Sequence, residues 1–144
     1  INAMYKQILV AIDLSENSEL VIQRASALAE KFGAQVRLLH VVEYVPIEPM
    51  GEALMPAMEI ERDLVANATR NLEQIATRTG LADAPRSVEA GSIKSEIVRI
   101  AAENSADLVV LGSRERHGLA ILLNATEDTV LHSASCDVLA VRLP

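Results

Sequence analysis

The chain is poor in aromatic residues, in cysteine and in positive charge. Of its 144 residues, only Tyr5, Tyr44 and Phe32 are aromatic. A base-stacking platform for single-stranded nucleic acid has nothing to be built from. Cys136 is the sole cysteine, so no intramolecular disulfide can form. Thirteen basic residues stand against twenty acidic ones, a formal net charge of -7. An acidic field disfavours nonspecific binding to nucleic acid or anionic lipid. No apolar run approaches the roughly 18 residues of a transmembrane helix. No secretory leader is expected before Met4, and Ile1, Asn2 and Ala3 are expected to be a tag remnant outside the functional reading. The expected location is therefore cytoplasmic. The three histidines lack ligand spacing such as H-x-x-x-H, and neither G-x-S-x-G, a Walker lysine motif nor G-x-G-x-x-G occurs. No catalytic residue and no metal site is expected, and the protein is not expected to be an enzyme.

What the chain has is aliphatic residues. Half of it is hydrophobic, almost all Val, Ile, Leu and Ala. A domain of this length buries roughly 70% of its unfolded surface. It can therefore fold as one unit, residues 4–144, without a metal or disulfide. Short apolar runs read as buried strands: "KQILVAID" (Lys6–Asp13), "QVRLLHVV" (Gln35–Val42), "RSVEAG" (Arg86–Gly91), "ADLVVLG" (Ala106–Gly112) and "DVLAVRL" (Asp137–Leu143). Helical spacing fills the gaps. Val21, Ala25, Leu28, Ala29 and Phe32 form one stripe, with Ser15 as its expected N-cap and Gly33 as its stop. Residues 43–56, with Pro46, Pro49, Gly51 and Pro56, read as a loop. Met58 to Thr79 is the next helix, with Ile60, Leu64, Ala68, Leu72, Ile75 and Ala76 on its apolar side and Gly80 ending it. Ser92 caps a third helix carrying Ile93, Ile97, Ile100 and Ala101, and a fourth is expected from about Ala125 to His132. Alternating strands and helices imply an α/β fold, a five-stranded, mostly parallel open sheet with helices on both faces.

Ligands of such folds bind beyond the carboxyl ends of the strands, where strand order reverses. Asp13 offers a carboxylate for a ribose hydroxyl. Val41 offers main-chain groups for an adenine edge. The stretch after Gly112, "GSRERHGLAILLNATEDTV", offers main-chain N–H groups and a helix N-terminus for phosphates. Each has a structural alternative. An Asp at a strand end can cap the following turn, and Thr126 can cap the fourth helix. Glu127 and Asp128 suit a first helical turn, yet repel a polyphosphate. His40 reads as a structural residue of the second strand, His117 as a solvated loop residue, and Cys136 as an inert, largely buried thiol. The last strand is apolar and charge-poor, an edge that invites pairing with another chain.

"YKQILVAIDLSENSE", "VRLLHVVE", "ADLVVLGSRERHG" and "VLHSASCDVLAV" together resemble the universal stress protein family over residues 4–144. The resemblance implies a Rossmann-like fold of the adenine nucleotide alpha hydrolase type. It also implies a homodimer in which the last strands, Asp137 to Leu143, pair, with Arg142 near the interface. One branch of the family binds ATP through Gly, two residues, Gly, nine residues, Gly, then Ser or Thr. Laid on this chain, the pattern falls on Gly112, Glu115, Ala125 and Thr126. Two of the three glycines are replaced, and the chain is more similar to the branch that does not bind ATP. Ala125 adds only a methyl. A Glu115 carboxylate about 4 Å from a phosphate would cost roughly 4 kcal/mol at an effective dielectric of about 20. Arg114 and Arg116 flank it and can restore positive charge, and a shared Mg²⁺ is another escape. The expected role is a regulatory protein with no cofactor, acting through its abundance and through protein partners. The alternative is an ATP or AMP sensor using Asp13, Val41, Gly112, Arg114 and Thr126.

Overall fold

A computed structural model describes residues 4–43, 54–114, 130 and 133–144. Chain order is β1 (Gln7–Ala11), α1 (Ser18–Phe32), β2 (Gln35–Val42), α2 (Leu54–Arg78), β3 (Arg86–Ala90), α3 (Ile93–Glu103), β4 (Leu108–Arg114) and β5 (Asp137–Leu143). The five strands form one sheet in the order β3-β2-β1-β4-β5, with every neighbouring pair parallel. The order runs one way from β1 to β3 and the other way from β4 to β5, so it reverses between β1 and β4. Among the described residues, no helix is long and apolar enough to cross a membrane.

Successive side chains of a strand point to opposite faces, and both faces here are covered. Ile8, Val10, Leu38, Leu108 and Val110 pack under α1 and α2, against Val21, Ile22, Ala25, Leu72 and Ile75. Leu9, Leu39, Val41, Val109 and Leu111 pack against Ile97, Ile100 and Ala101 of α3, and against Val130. This two-sided burial explains the continuous apolar runs in the sequence. Two of the rare aromatics meet at the N-terminal end of the sheet. The Tyr5 and Phe32 rings stand edge to face at 5.5 Å, and the Tyr5 hydroxyl donates to Asp137 at 2.8 Å.

Several element ends differ from expectation. α1 starts at Ser18 behind an Asn17 N-cap, not behind Ser15. Ser15 belongs to the preceding turn: its carbonyl accepts the Ser18 N–H at 3.0 Å, and its hydroxyl accepts the Asn17 N–H at 3.3 Å. α2 starts at Leu54, before the expected Met58, and so takes in Pro56. A proline in the first helical turn lacks only an N–H that would have no helical partner. Ile60 and Leu64 are 50% and 39% exposed rather than in the core. β4 runs two residues past Gly112, because Ser113 and Arg114 pair with Arg142 and Leu143 of β5. Ser92 does occupy the N-cap of α3, but its side chain makes no capping hydrogen bond. Most of the expected fourth helix lies outside the described residues.

Gly33 and Gly80 end their helices as expected, at φ 68° and 80°, where a Cβ would be strained. Arg99 of α3 gathers Glu89 from β3 together with Glu96 and Glu103 of its own helix, each at 2.9 Å. That clasp fixes the end of the edge strand to the helix that follows it, and Arg99 holds the Glu96 carboxyl below its ordinary range.

Among the described residues, one buried polar atom is left over. The Ser26 hydroxyl of α1 is shielded from solvent and has no hydrogen-bond partner among the described residues. An unsatisfied buried hydroxyl costs about 1–3 kcal/mol. Ser26→Ala should therefore stabilise the protein, by about 1 kcal/mol in urea denaturation; a loss of stability would mean that the hydroxyl has a partner.

Candidate functional site

The reversal of strand order opens a crevice at the carboxyl ends of β1 and β4. β1 leaves the ladder at Ala11, whose partners are Leu39 and Leu111. One further bond follows, from the Ile12 N–H to the Leu39 carbonyl at 2.9 Å. The chain then turns sharply through Asp13, Leu14 and Ser15 into α1.

Asp13 holds that turn. Its Oδ1 accepts the Ser15 N–H at 2.9 Å and the hydroxyl of buried Ser18 at 3.2 Å. This is an Asx-type turn, in which a carboxylate replaces the main-chain acceptor. Asp13 is nonetheless exposed, so its position at the crevice is compatible with both roles considered for it. Leu14 has φ 65°, a left-handed conformation that costs a residue with a Cβ about 1–2 kcal/mol. The Asp13 hydrogen bonds on one side and the contact of Leu14 with the α1 core on the other oppose that cost.

His40 supports the same turn from β2. Its Nδ1 lies 2.8 Å from the Ile12 carbonyl. A carbonyl can only accept, so Nδ1 carries the proton and the ring clamps the last peptide before Asp13. The structural reading of His40 holds, and the clamp adds what it is structural for. Neither it nor the strained Leu14 has a sequence signature. The Asp-x-Ser spacing of Asp13 and Ser15 is a turn signal that could have been read.

Val41 is a core residue in its side chain, 7% exposed on the α3 face. Main-chain groups alternate sides along a strand. Those of Val41 therefore point the same way as those of Leu39, toward β1 beyond its last ladder residue. The structure thus brings the Val41 main chain and Asp13 to one crevice, with Gly112 and Arg114 on its β4 side. Glu115, Arg116, His117, Ala125 and Thr126 lie outside the described residues, as does the Arg114 side chain. Cys136 is half-buried rather than largely buried, and desolvation, then Asp137 and Asp107, pushes its thiol above the ordinary range. Among the described residues, no cluster of His, Cys, Asp or Glu could hold a metal ion.

Gly112 lies close beneath its neighbours. Its φ is not in the left-handed region. A Cβ there would sit 2.7 Å from Leu143 Cδ1, and 3.3 Å from both Leu143 Cγ and Val21 Cγ2. The space over β4 is thus filled by α1 and by the end of β5. Leu143 Cδ1 is the free end of a flexible side chain and can turn aside, so Gly112→Ala should lower stability by only about 1 kcal/mol without any ligand, and Leu143→Ala in the same chain should recover part of the loss. Unchanged stability in urea would assign Gly112 to ligand approach alone.

Comparison with known proteins agrees with this architecture. The model of the universal stress protein family matches residues 4–142. Universal stress protein A homolog 2 of Coxiella burnetii is 34% identical over 140 residues, covering 96% of each chain. Among solved structures, protein MJ0577 superposes with a TM-score of 0.79 at 24% identity, over 98% of each chain. Universal stress protein UspA from Lactobacillus plantarum superposes with a TM-score of 0.73 at 26% identity, over 98% of this chain and all of that one. By its family match, its relatives and its five-stranded parallel sheet, the chain belongs to the universal stress protein family.

Proposed function

We propose that this universal stress protein is a cytoplasmic, non-catalytic regulator that works as a homodimer and does not bind ATP tightly. The observation that carries the reading is the replacement of two loop glycines by Glu115 and Ala125. A carboxylate in a phosphate cradle opposes the ligand by Coulomb repulsion, and the chain's net charge of -7 adds to it. Asp13, which the ATP-binding pattern would recruit, has a structural task in the fold. Its presence has a reason that needs no nucleotide.

The homodimer reading rests on β5. It is an edge strand, and Leu139 is 37% exposed on it. Two copies related by a two-fold axis would pair these edges and cover both. Such a protein acts through its abundance and through contacts with other proteins.

A second reading, an ATP or AMP sensor, is favoured by one observation. The main chain of Val41 and the exposed Asp13 flank the reversal point, where α/β folds hold nucleotides. In that reading Gly112, Arg114 and Thr126 serve the phosphates.

Chromatography of the supernatant from denatured protein, followed by calorimetric titration with ATP and Mg²⁺, separates the two. The first reading expects no nucleotide and no heat of binding. Bound or titratable ATP would overturn it in favour of the sensor. Glu115→Gly with Ala125→Gly should create or strengthen ATP binding, tenfold for each ~1.4 kcal/mol of repulsion removed. Sedimentation of a dilute sample as a monomer would refute the β5 dimer.

A further inference from the structure

A second cleft lies at the end of the sheet opposite the crevice. It is bounded by the last turns of α1, the start of β2 and the connection from α2 to β3, and it offers about 540 Å³. Small-molecule sites span roughly 300–1,000 Å³. The sequence leaves this space open by placing alanine on each wall. Ala29 stands on α1, Ala34 leads into β2, and Ala84 comes just before β3. Gly33 turns the chain so that the Ala34 N–H donates to the Ala29 carbonyl at 2.8 Å. The facing wall is also fixed, because Arg86 donates to the Ala82 and Ala84 carbonyls at 3.1 and 2.9 Å. Val36 and Leu81, which pack on the core, close the floor.

Two features of this cleft have no task in the fold. The first is the Ser26 hydroxyl. Ser26 lines the cleft and is half-buried as a residue, yet its oxygen is turned away from solvent and has no hydrogen-bond partner among the described residues. Rotation about χ1 moves a serine oxygen between staggered positions, so it can carry the hydroxyl out of the wall and into the cleft. The second feature is charge. Glu30 of α1 and Asp83 of the connection line the mouth, both exposed, and neither is in an ion pair with a described residue. Arg86, the cation of the same connection, is turned to the two carbonyls and to Glu73.

We propose that the cleft binds a small aliphatic diammonium ion. The alanine and leucine side chains take its methylene body, and Glu30 and Asp83 take its charged ends. The Ser26 hydroxyl turns outward and accepts an ammonium N–H. An anion would meet two carboxylates at the mouth, and a bare metal ion would leave the apolar walls unused. The ligand gives a partner to a hydroxyl that otherwise stays unsatisfied, so it relieves a cost the empty protein carries. Exposed carboxylates bind weakly and are screened by salt, so the affinity is modest and falls with ionic strength. The cleft shares no residue with the crevice or with β5, so this binding stands apart from the regulatory reading above.

Titration of the isotopically labelled full chain with diaminobutane, followed through its amide resonances, tests this. Saturable shifts should centre on Ser26, Ala29, Ala34 and Ala84, and should shrink in high salt. Butyrate, of the same chain length and opposite charge, should not produce them. Glu30→Gln and Asp83→Asn should each weaken binding about twofold to fivefold. Ser26→Ala separates a ligand role from a structural one. It should stabilise the empty protein, as removal of an unpartnered hydroxyl does, and still weaken diamine binding. An absence of saturable shifts, shifts centred on Asp13 in the crevice, an equal response to butyrate, or a Ser26→Ala variant that binds like wild type would each overturn the proposal.

Discussion

Everything in this molecule follows from a parallel sheet that must be dry on both faces while almost no aromatic side chain is available to cover it. β1 and β4 meet that demand at the centre. Leu9 and Val109 face one way, Val10 and Val110 the other, all at 0–1% exposure. Parallel strands need crossovers, and the crossovers supply the covering helices. α1 and α2 cover one face and α3 the other. The first crossovers lead away from β1 in one direction and the later ones in the other. The crevice is the by-product of that reversal.

The residues around the crevice serve the fold first. Asp13 closes a turn, His40 holds the peptide before it, and Gly112 makes room for Leu143 and Val21. These tasks explain how a chain can retain the outline of a nucleotide site while changing the loop that would hold the phosphates. They also separate two kinds of motif residue. Gly112 lies close to Leu143 and Val21, so packing gives it a reason to be small whether or not a ligand binds. Positions 115 and 125 lie outside the described residues, and what they imply for a ligand rests on side-chain chemistry alone.

The strands were legible because two-sided burial writes itself as unbroken apolar runs. The stops at Gly33 and Gly80 were legible because only a left-handed residue fits there. Helix starts were less so. Ser15 and Asn17 are both good caps on paper, and only the Asp13 turn decides that Ser15 is used before the helix. Helical spacing marked Ile60 and Leu64 as core because periodicity shows a stripe without showing how far the sheet beneath it extends. β4 outran its apolar run because its length is set by pairing with β5, a partner some twenty residues away. At the crevice, residue order alone placed Asp13, Val41 and Gly112 near the strand ends where the sheet order reverses. The Leu14 conformation and the His40 clamp were not legible, since they depend on contacts between separate strands.

The uneven burial of α2 has a consequence for how the helix persists. Starting a helix is the costly step, and extending it is nearly neutral for good helix formers. The turns from Ala68 to Ala76 are fixed by the core and supply the nucleus. The turns ahead of them need only propagate from it. Segment 56–67 can therefore keep its helical shape although none of its side chains is fully buried.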